Sequence, residues 1–129
     1  MLKGVRQFLR SLRREPAPEA QIELDELGFA VVAPDGKRFP VRWSSVTRVA
    51  TYKRDNFNTD EIVLAFEVAD RPGYVQEVSE EWPGFQELLA PLELNLGIGP
   101  SWYQEVMLPA FEANFRVLFD RVGVHAPPA

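Results

Sequence analysis

Two strand-like runs joined by a charged loop, within residues 41–67, constrain the fold of this chain more than any other stretch. In the second run, Ile62, Leu64 and Phe66 alternate with residues of the opposite face. Alternation with a period of two predicts a β-strand with one buried face. Residues 55–60 are rich in Asn and Asp, which favour turns. We therefore expect a hairpin whose second strand lies at the centre of a sheet.

The first run of this hairpin, Val46 to Lys53, alternates less cleanly. Val46, Ala50 and Tyr52 share a face with Arg48, so one side of the strand mixes apolar and charged residues. An edge strand or a β-bulge would explain the mixture.

Shorter strand patterns flank the hairpin on both sides. Residues 21–32 contain two strand-like pieces with a turn or bulge at Gly28, and the Pro-Asp-Gly turn at 34–36 leads into a third. Phe39 and Trp43 are expected in the core. After a Pro-Gly turn, residues 74–78 continue the sheet.

The part from 83 to 123 is predicted to be mainly helical. Phe85 begins a pattern of helical spacing that Pro91 should limit to two or three turns. Ser101 with Gln104 forms a capping-box pattern for a second helix. Residues 109–122 fit a helix better than the alternative strand.

Length and composition place these elements in one globular domain covering residues 1–129, with 46% apolar and 26% charged residues. We predict an α+β fold: a mainly antiparallel, twisted sheet of five or six strands across 21–78, with helices over one face or end.

The N-terminal segment, residues 1–15, reads as an amphipathic helix. It could bind a membrane surface or a partner, serve as an organelle presequence, or pack on its own domain, which is the interpretation we favour. Its polar side carries five cations and, up to residue 14, no acid: Lys3, Arg6, Arg10, Arg13 and Arg14.

Beyond residue 14 the chain is strongly acidic, with nine basic and nineteen acidic residues and a net charge of −10. Such a body repels nucleic acid and anionic lipid and favours basic partners. Cysteine is absent and no apolar run reaches the roughly 18 residues that a membrane span needs. No secretory signal pattern is visible, so a cytoplasmic protein is the expectation.

The sequence contains few residues or motifs that are typical of catalysis. The sole histidine, His125, lies in the proline-ended tail, and neither a Ser-His pairing nor a glycine-rich phosphate loop is recognisable. Metal-ligand spacings are also missing. We therefore predict a non-enzymatic protein without cofactor or metal.

Two short strings are the candidate binding sites. The first string has an aromatic residue, two cations and an acid at a strand end. These residues either protect a sheet edge from unwanted pairing or form a recognition surface. The other is an acidic step into a helix, which suits the positive end of the helix dipole. If the two lie close together, Lys53 or Arg54 could pair with Glu80 or Glu81. The residues are Tyr52, Lys53, Arg54 and Asp55 in the first string, and Glu80, Glu81 and Trp82, after Ser79, in the second.

These strings also belong to a longer pattern, which resembles a family of small bacterial proteins of unknown function over roughly residues 40–120. The resemblance implies no activity. The order of strands and helix is similar to half of a pleckstrin-homology or GRAM-like fold, and this likeness concerns architecture alone. The pattern comprises Trp43, Ala50, Tyr52-Lys53-Arg54-Asp55, Asp60, Ile62, Leu64, Phe66, Val78-Ser79-Glu80-Glu81, Gly84-Phe85, Trp102, Val106-Met107, Pro109-Ala110-Phe111 and Asn114.

The acidic body favours a protein-binding module, resembling immunity proteins that neutralise a toxin by covering a basic active site. The alternative is a lipid- or membrane-associated domain that uses the basic segment 1–15 and a PH-like body.

Overall fold

The computed structural model describes residues 19–56, 59–108 and 114–121, without the side chains of 55, 56 and 59. This part of the chain is α+β, with two antiparallel sheets and two α-helices. Segment 1–15 lies outside the described residues. The strands are β1 (Gln21–Leu24), β2 (Gly28–Val32), β3 (Arg38–Arg42), β4 (Val46–Asn56), β5 (Thr59–Val68), β6 (Val75–Ser79) and β7 (Arg116–Asp120), and the helices are α1 (Phe85–Leu96) and α2 (Ser101–Met107).

The three strand-like pieces predicted before the hairpin form the first sheet, a meander with strand order β1-β2-β3. Its first turn is closed by Asp25, whose Oδ1 accepts the backbone N–H groups of Leu27 at 2.8 Å and Gly28 at 2.9 Å. Gly28 is required where β2 meets β3, because a Cβ there would lie 1.9 Å from the carbonyl oxygen of Val41. The turn predicted at Gly28 therefore lies just before it, and the glycine itself permits close strand approach.

The second sheet has the strand order β6-β5-β4-β7, so β5 is an interior strand, as predicted. Strand β4 is also interior, which makes the edge-strand interpretation wrong along its first half. The bulge interpretation is confirmed, because the pairing of β4 with β5 shifts register between Val46 and Arg48. A second shift, between Val49 and Ala50, occurs in the pairing with β7.

The predicted count of five or six strands in one sheet is wrong, because the described residues form seven strands in two sheets. A 3-10 turn over Trp43–Ser45 separates β3 from β4, and no pairing joins those strands. The helix favoured for 109–122 is also wrong over Arg116–Asp120, which is strand β7. Pairing with the open side of β4 outweighs the helical spacing of its apolar residues.

Helix α1 has about the predicted length of three turns, whereas helix α2 lacks its predicted cap. Helix α1 continues through Pro91 to Leu96 and stops at Gly97, whose φ of 71° suits a glycine C-cap. Helix α2 begins at Ser101, but no side chain caps it, so the expected capping box does not form. Among the described residues, neither helix is long and apolar enough to cross a bilayer.

One hydrophobic core joins both sheets and both helices. Phe29 connects the sheets, since its ring centroid lies 5.4 Å from that of Trp43 and 4.9 Å from that of Phe66. Trp43 is buried, as predicted, whereas Phe39 is only partly buried at the margin. On the helical side, Leu88 and Trp102 close the core.

Candidate functional site

Strand geometry divides the predicted string at the end of β4 between two faces. Lys53 is paired with Ile62, a core residue, and so lies on the core side of the sheet. Tyr52 and Arg54 lie on the opposite, outer side, where Arg54 faces Glu61 across the strands. The four residues therefore do not form one surface, and the side chain of Asp55 lies outside the described part.

Lys53 is buried, with 5% of its surface exposed. Its Nζ donates to the carbonyl oxygen of Met107 at 2.8 Å and lies 3.5 Å from a carboxylate oxygen of Asp60. Met107 is the last residue of α2, where the backbone carbonyls carry partial negative charge. A buried cation at this position is a structural tie between β4 and α2.

Tyr52 and Arg54 of β4 share an acid that lies on β6, on the far side of β5. Both donate to the carboxylate of Glu77, Tyr52 through its hydroxyl and Arg54 through Nη2 at 2.7 Å. The Nη1 of Arg54 also lies 3.7 Å from Glu61. These contacts of Lys53 and Arg54 do not include Glu80 or Glu81, with which the sequence left a pairing possible.

Glu80 instead ties three elements together. One of its carboxylate oxygens accepts the backbone N–H of Ile62 on β5 at 2.8 Å, and the other accepts the hydroxyl of Tyr103 on α2. Partial burial, this hydrogen bond and the negative charge of Glu80 raise the pKa of Tyr103 to about 12. Glu80 is therefore held in a defined position.

Ser79 and Glu61 form a buried pair beside it. The Ser79 hydroxyl donates to the Glu61 carboxylate and accepts the backbone N–H of Glu81 at 3.1 Å. Only 3% of Ser79 and 8% of Glu61 are exposed. This serine is committed to holding the turn after β6, a role that fits structure better than nucleophilic chemistry.

Glu81 differs from its neighbours, because its exposed side chain makes no hydrogen bond or ion pair with the described residues. Its pKa lies above the ordinary carboxyl value, because partial desolvation disfavours the charged form and because Glu61, Glu80 and Glu19 add negative charge. Trp82, the next residue, is half-buried against the core.

We call this set of carboxylates the acidic corner: Glu19, Glu61, Glu77, Glu80 and Glu81. Of these, sequence reasoning singled out only Glu80 and Glu81 as site residues. It missed Glu61, Glu77 and the aromatic partner Tyr103. Their polar positions on strands and helix were visible, but the strand register that brings them together was not. Within the described ranges, no group of three or more His, Asp or Glu residues is placed to hold a metal ion.

The five cations of the segment 1–15 (Lys3, Arg6, Arg10, Arg13 and Arg14) fall outside the described residues, so the amphipathic helix and its packing on the domain stay predictions. Comparison of the chain with protein-family models, with curated proteins and with solved structures finds no match. The family signature and the pleckstrin-homology likeness therefore also stay predictions.

Proposed function

We propose that this chain is a non-enzymatic protein-binding module whose acidic corner receives a basic protein partner, in the manner of an immunity protein that covers a toxin's basic site. The supporting observation is Glu81, an exposed carboxylate with three acidic neighbours and no cation bound to it among the described residues. Like charges in this arrangement destabilise one another in the free protein. A cation from a partner would relieve that repulsion.

Three other carboxylates of the corner, Glu61, Glu77 and Glu80, are already held in place, which favours binding. Glu80 is held by Ile62 and Tyr103, and Glu61 is held by Ser79. Side chains that are ordered before binding lose little further entropy on association. Partly exposed aromatic residues beside the acids, Trp82 and Tyr103, are of the kind that interfaces favour.

The test is affinity purification from the native host with tagged wild-type protein and two charge-reversed variants. Glu81→Lys changes the corner, and Glu93→Lys makes the same change on the exposed side of α1. We expect a basic partner to be retained by wild type and by Glu93→Lys and to be lost from Glu81→Lys. With the purified partner, association should slow as salt rises.

Two outcomes would contradict the proposal. One is that no stable protein partner is recovered with wild type. The other is that Glu81→Lys and Glu93→Lys retain the partner equally.

The alternative proposal is a lipid- or membrane-associated domain with a PH- or GRAM-like half-barrel. It is supported by the five cations within residues 1–14, which no acid accompanies. Flotation with phosphatidylserine-containing vesicles, with and without residues 1–15, tests it. Salt-sensitive binding that needs this segment supports the alternative, and the absence of binding rules it out.

A further inference from the structure

A cleft of about 330 Å³ lies away from the acidic corner, where turns of both sheets meet the end of α1. It shares no lining residue with the corner, and its charge has the opposite sign. Two arginines and one acid are among the residues that line it. The lining includes Glu26, Leu27, Arg42, Trp43, Asn95 and Arg121.

Arg121, which follows β7, is held in place on one side of the cleft. Its Nη1 donates to the carbonyl oxygen of Ser44 at 2.9 Å, and its guanidinium carbon lies 5.4 Å from the ring centroid of Phe119. A guanidinium has five N–H donors in a fixed plane. Arg121 is therefore oriented and has further donors available for an anion.

The side chain of Arg42, the last residue of β3, makes no hydrogen bond or ion pair with any described residue. Glu26 lines the same cleft, but it is not within ion-pairing distance of either arginine. The cleft therefore has a net charge of +1 in a protein whose total is −5. Two arginines that no described acid neutralises favour a negatively charged ligand.

Apolar surface lies directly beside these cations. Trp43 is fixed by its contact with Phe29 and by its backbone N–H, which donates to the carbonyl oxygen of Leu27 at 3.0 Å. The Leu27 side chain is 59% exposed. Asn95 closes the α1 side, anchored by its Nδ2 donating to the carbonyl oxygen of Pro91 at 2.9 Å. Small-ligand sites typically combine such apolar walls with a few placed polar groups.

We propose that this cleft binds a small carboxylate that carries an apolar body. Arg42 and Arg121 bind the carboxylate, and Leu27 and Trp43 pack against the apolar part. The proposal goes beyond the protein-binding function and does not depend on it.

The experiment is an NMR titration of the full chain, following the Trp43 indole N–H, the Asn95 side-chain amide and the Leu27 backbone amide. Phenylacetate is the probe. Phenylacetamide has the same shape without the charge, acetate lacks the apolar body, and inorganic phosphate is an anion of another class. We expect saturable shifts with phenylacetate and at least about tenfold weaker binding of the three controls.

Four variants assign the binding to these side chains. Arg42→Met and Arg121→Met should weaken phenylacetate binding about tenfold, because each removes a charge-assisted hydrogen bond. Glu26→Gln should tighten it, because a repelling charge is lost. Arg38→Met changes an exposed arginine of the same strand β3 that pairs with Glu23, outside the cleft, and should leave binding unchanged.

The proposal is overturned if phenylacetate gives no saturable shift at these three reporters. It is also overturned if phenylacetamide or phosphate binds as well as phenylacetate, or if Arg38→Met weakens binding as much as Arg42→Met. Should Arg121→Met fail to fold, Arg42→Met and Glu26→Gln still decide, because they predict changes of opposite sign.

Discussion

Charged side chains with little exposed surface, on β4 and just after β6, hold elements of the fold together. Lys53 is the clearest example, because its amine reaches the last carbonyl of α2 while its aliphatic stem lies in the protein interior. Glu80 does the same with a carboxylate, linking β5 to α2. A buried cation near a helix C-terminus stabilises the fold only while the carbonyl and carboxylate groups that it contacts remain in place.

Replacing Lys53 by Met should therefore lower the free energy of unfolding by about 1–3 kcal/mol. The substitution keeps the aliphatic stem but leaves the Met107 carbonyl without its donor and Asp60 without this ion pair. Urea denaturation measures the effect. Lys37→Met, at an exposed turn position, is the matched control and should change stability by less than about 0.5 kcal/mol. Equal effects of the two variants would show that Lys53 is not a structural tie.

Glu81 should affect stability in a pH-dependent way. Its pKa is raised above 4.5 in the folded protein, so the folded state binds the proton more tightly than the unfolded state. The resulting stabilisation is complete below pH 4.5 and is lost as pH rises through the folded pKa. Glu81→Gln should then increase the free energy of unfolding at pH 7, by up to about 0.5 kcal/mol because the site is exposed and screened.

Denaturation of wild type and Glu81→Gln at pH 7 and near pH 4 tests this expectation. The difference should disappear at the lower pH, and it should shrink at pH 7 in about 1 M salt. A variant that is less stable than wild type at pH 7 would mean that Glu81 has a stabilising partner.

The contacts between elements depend on a few close approaches. Strands β2 and β3 meet at Gly28 without room for a side chain. Helix α2 is joined to the sheet by two side chains of opposite charge, Lys53 at its last residue and Glu80 through Tyr103. Neither the strand contact at Gly28 nor the attachment of α2 can be predicted from local sequence patterns, because each joins residues that are not neighbours in the chain.

Gly28→Ala should destabilise the first sheet by about 3 kcal/mol or more, because the new Cβ would meet the Val41 carbonyl, a backbone atom that cannot move aside. Gly99→Ala is the control, since nothing lies within 4 Å of its added Cβ. Thermal and urea unfolding of both variants give the comparison. A Gly28→Ala protein as stable as Gly99→Ala would show that β2 and β3 are further apart.

The bond between Tyr103 and Glu80 can be followed by ultraviolet titration of phenolate. With a pKa of about 12, Tyr103 contributes stability that is complete below pH 10 and is lost as pH rises through about 12. Tyr103→Phe should remove one titration step near pH 12 from the wild-type curve. Loss of a step near pH 10 instead would mean that the phenol is not bonded to Glu80.

Across the whole molecule, sequence patterns predicted what depends on nearby residues. The meander, the hairpin, its interior second strand and the start of α1 at Phe85 all follow from spacing and turn residues. The division into two sheets was not predictable, because it depends on the 3-10 turn after Arg42 and on non-local pairing. The prediction for the residues of β7 failed for the same reason, since the partner strand β4 lies far upstream in the chain.

Sequence patterns likewise identified only some residues of the candidate site. Glu80, Glu81 and Trp82 were singled out because they are adjacent in sequence, and their role in binding stays a prediction. Tyr52 to Asp55 are divided between the two faces of the sheet, since consecutive strand residues point to opposite faces. The acids that pair with Arg54 come from β5 and β6, so only the folded sheet could identify them.

The pairing of β7 with β4 also sets an order of events during synthesis. Arg48 pairs with Asp120, so the last strand of the second sheet leaves the ribosome about 70 residues after its neighbour. At ordinary elongation rates of about 5–20 residues per second, β4 waits several seconds with one edge unoccupied. Unpaired edges can join the wrong chain. The nascent protein is therefore exposed to wrong pairing at this edge until β7 arrives.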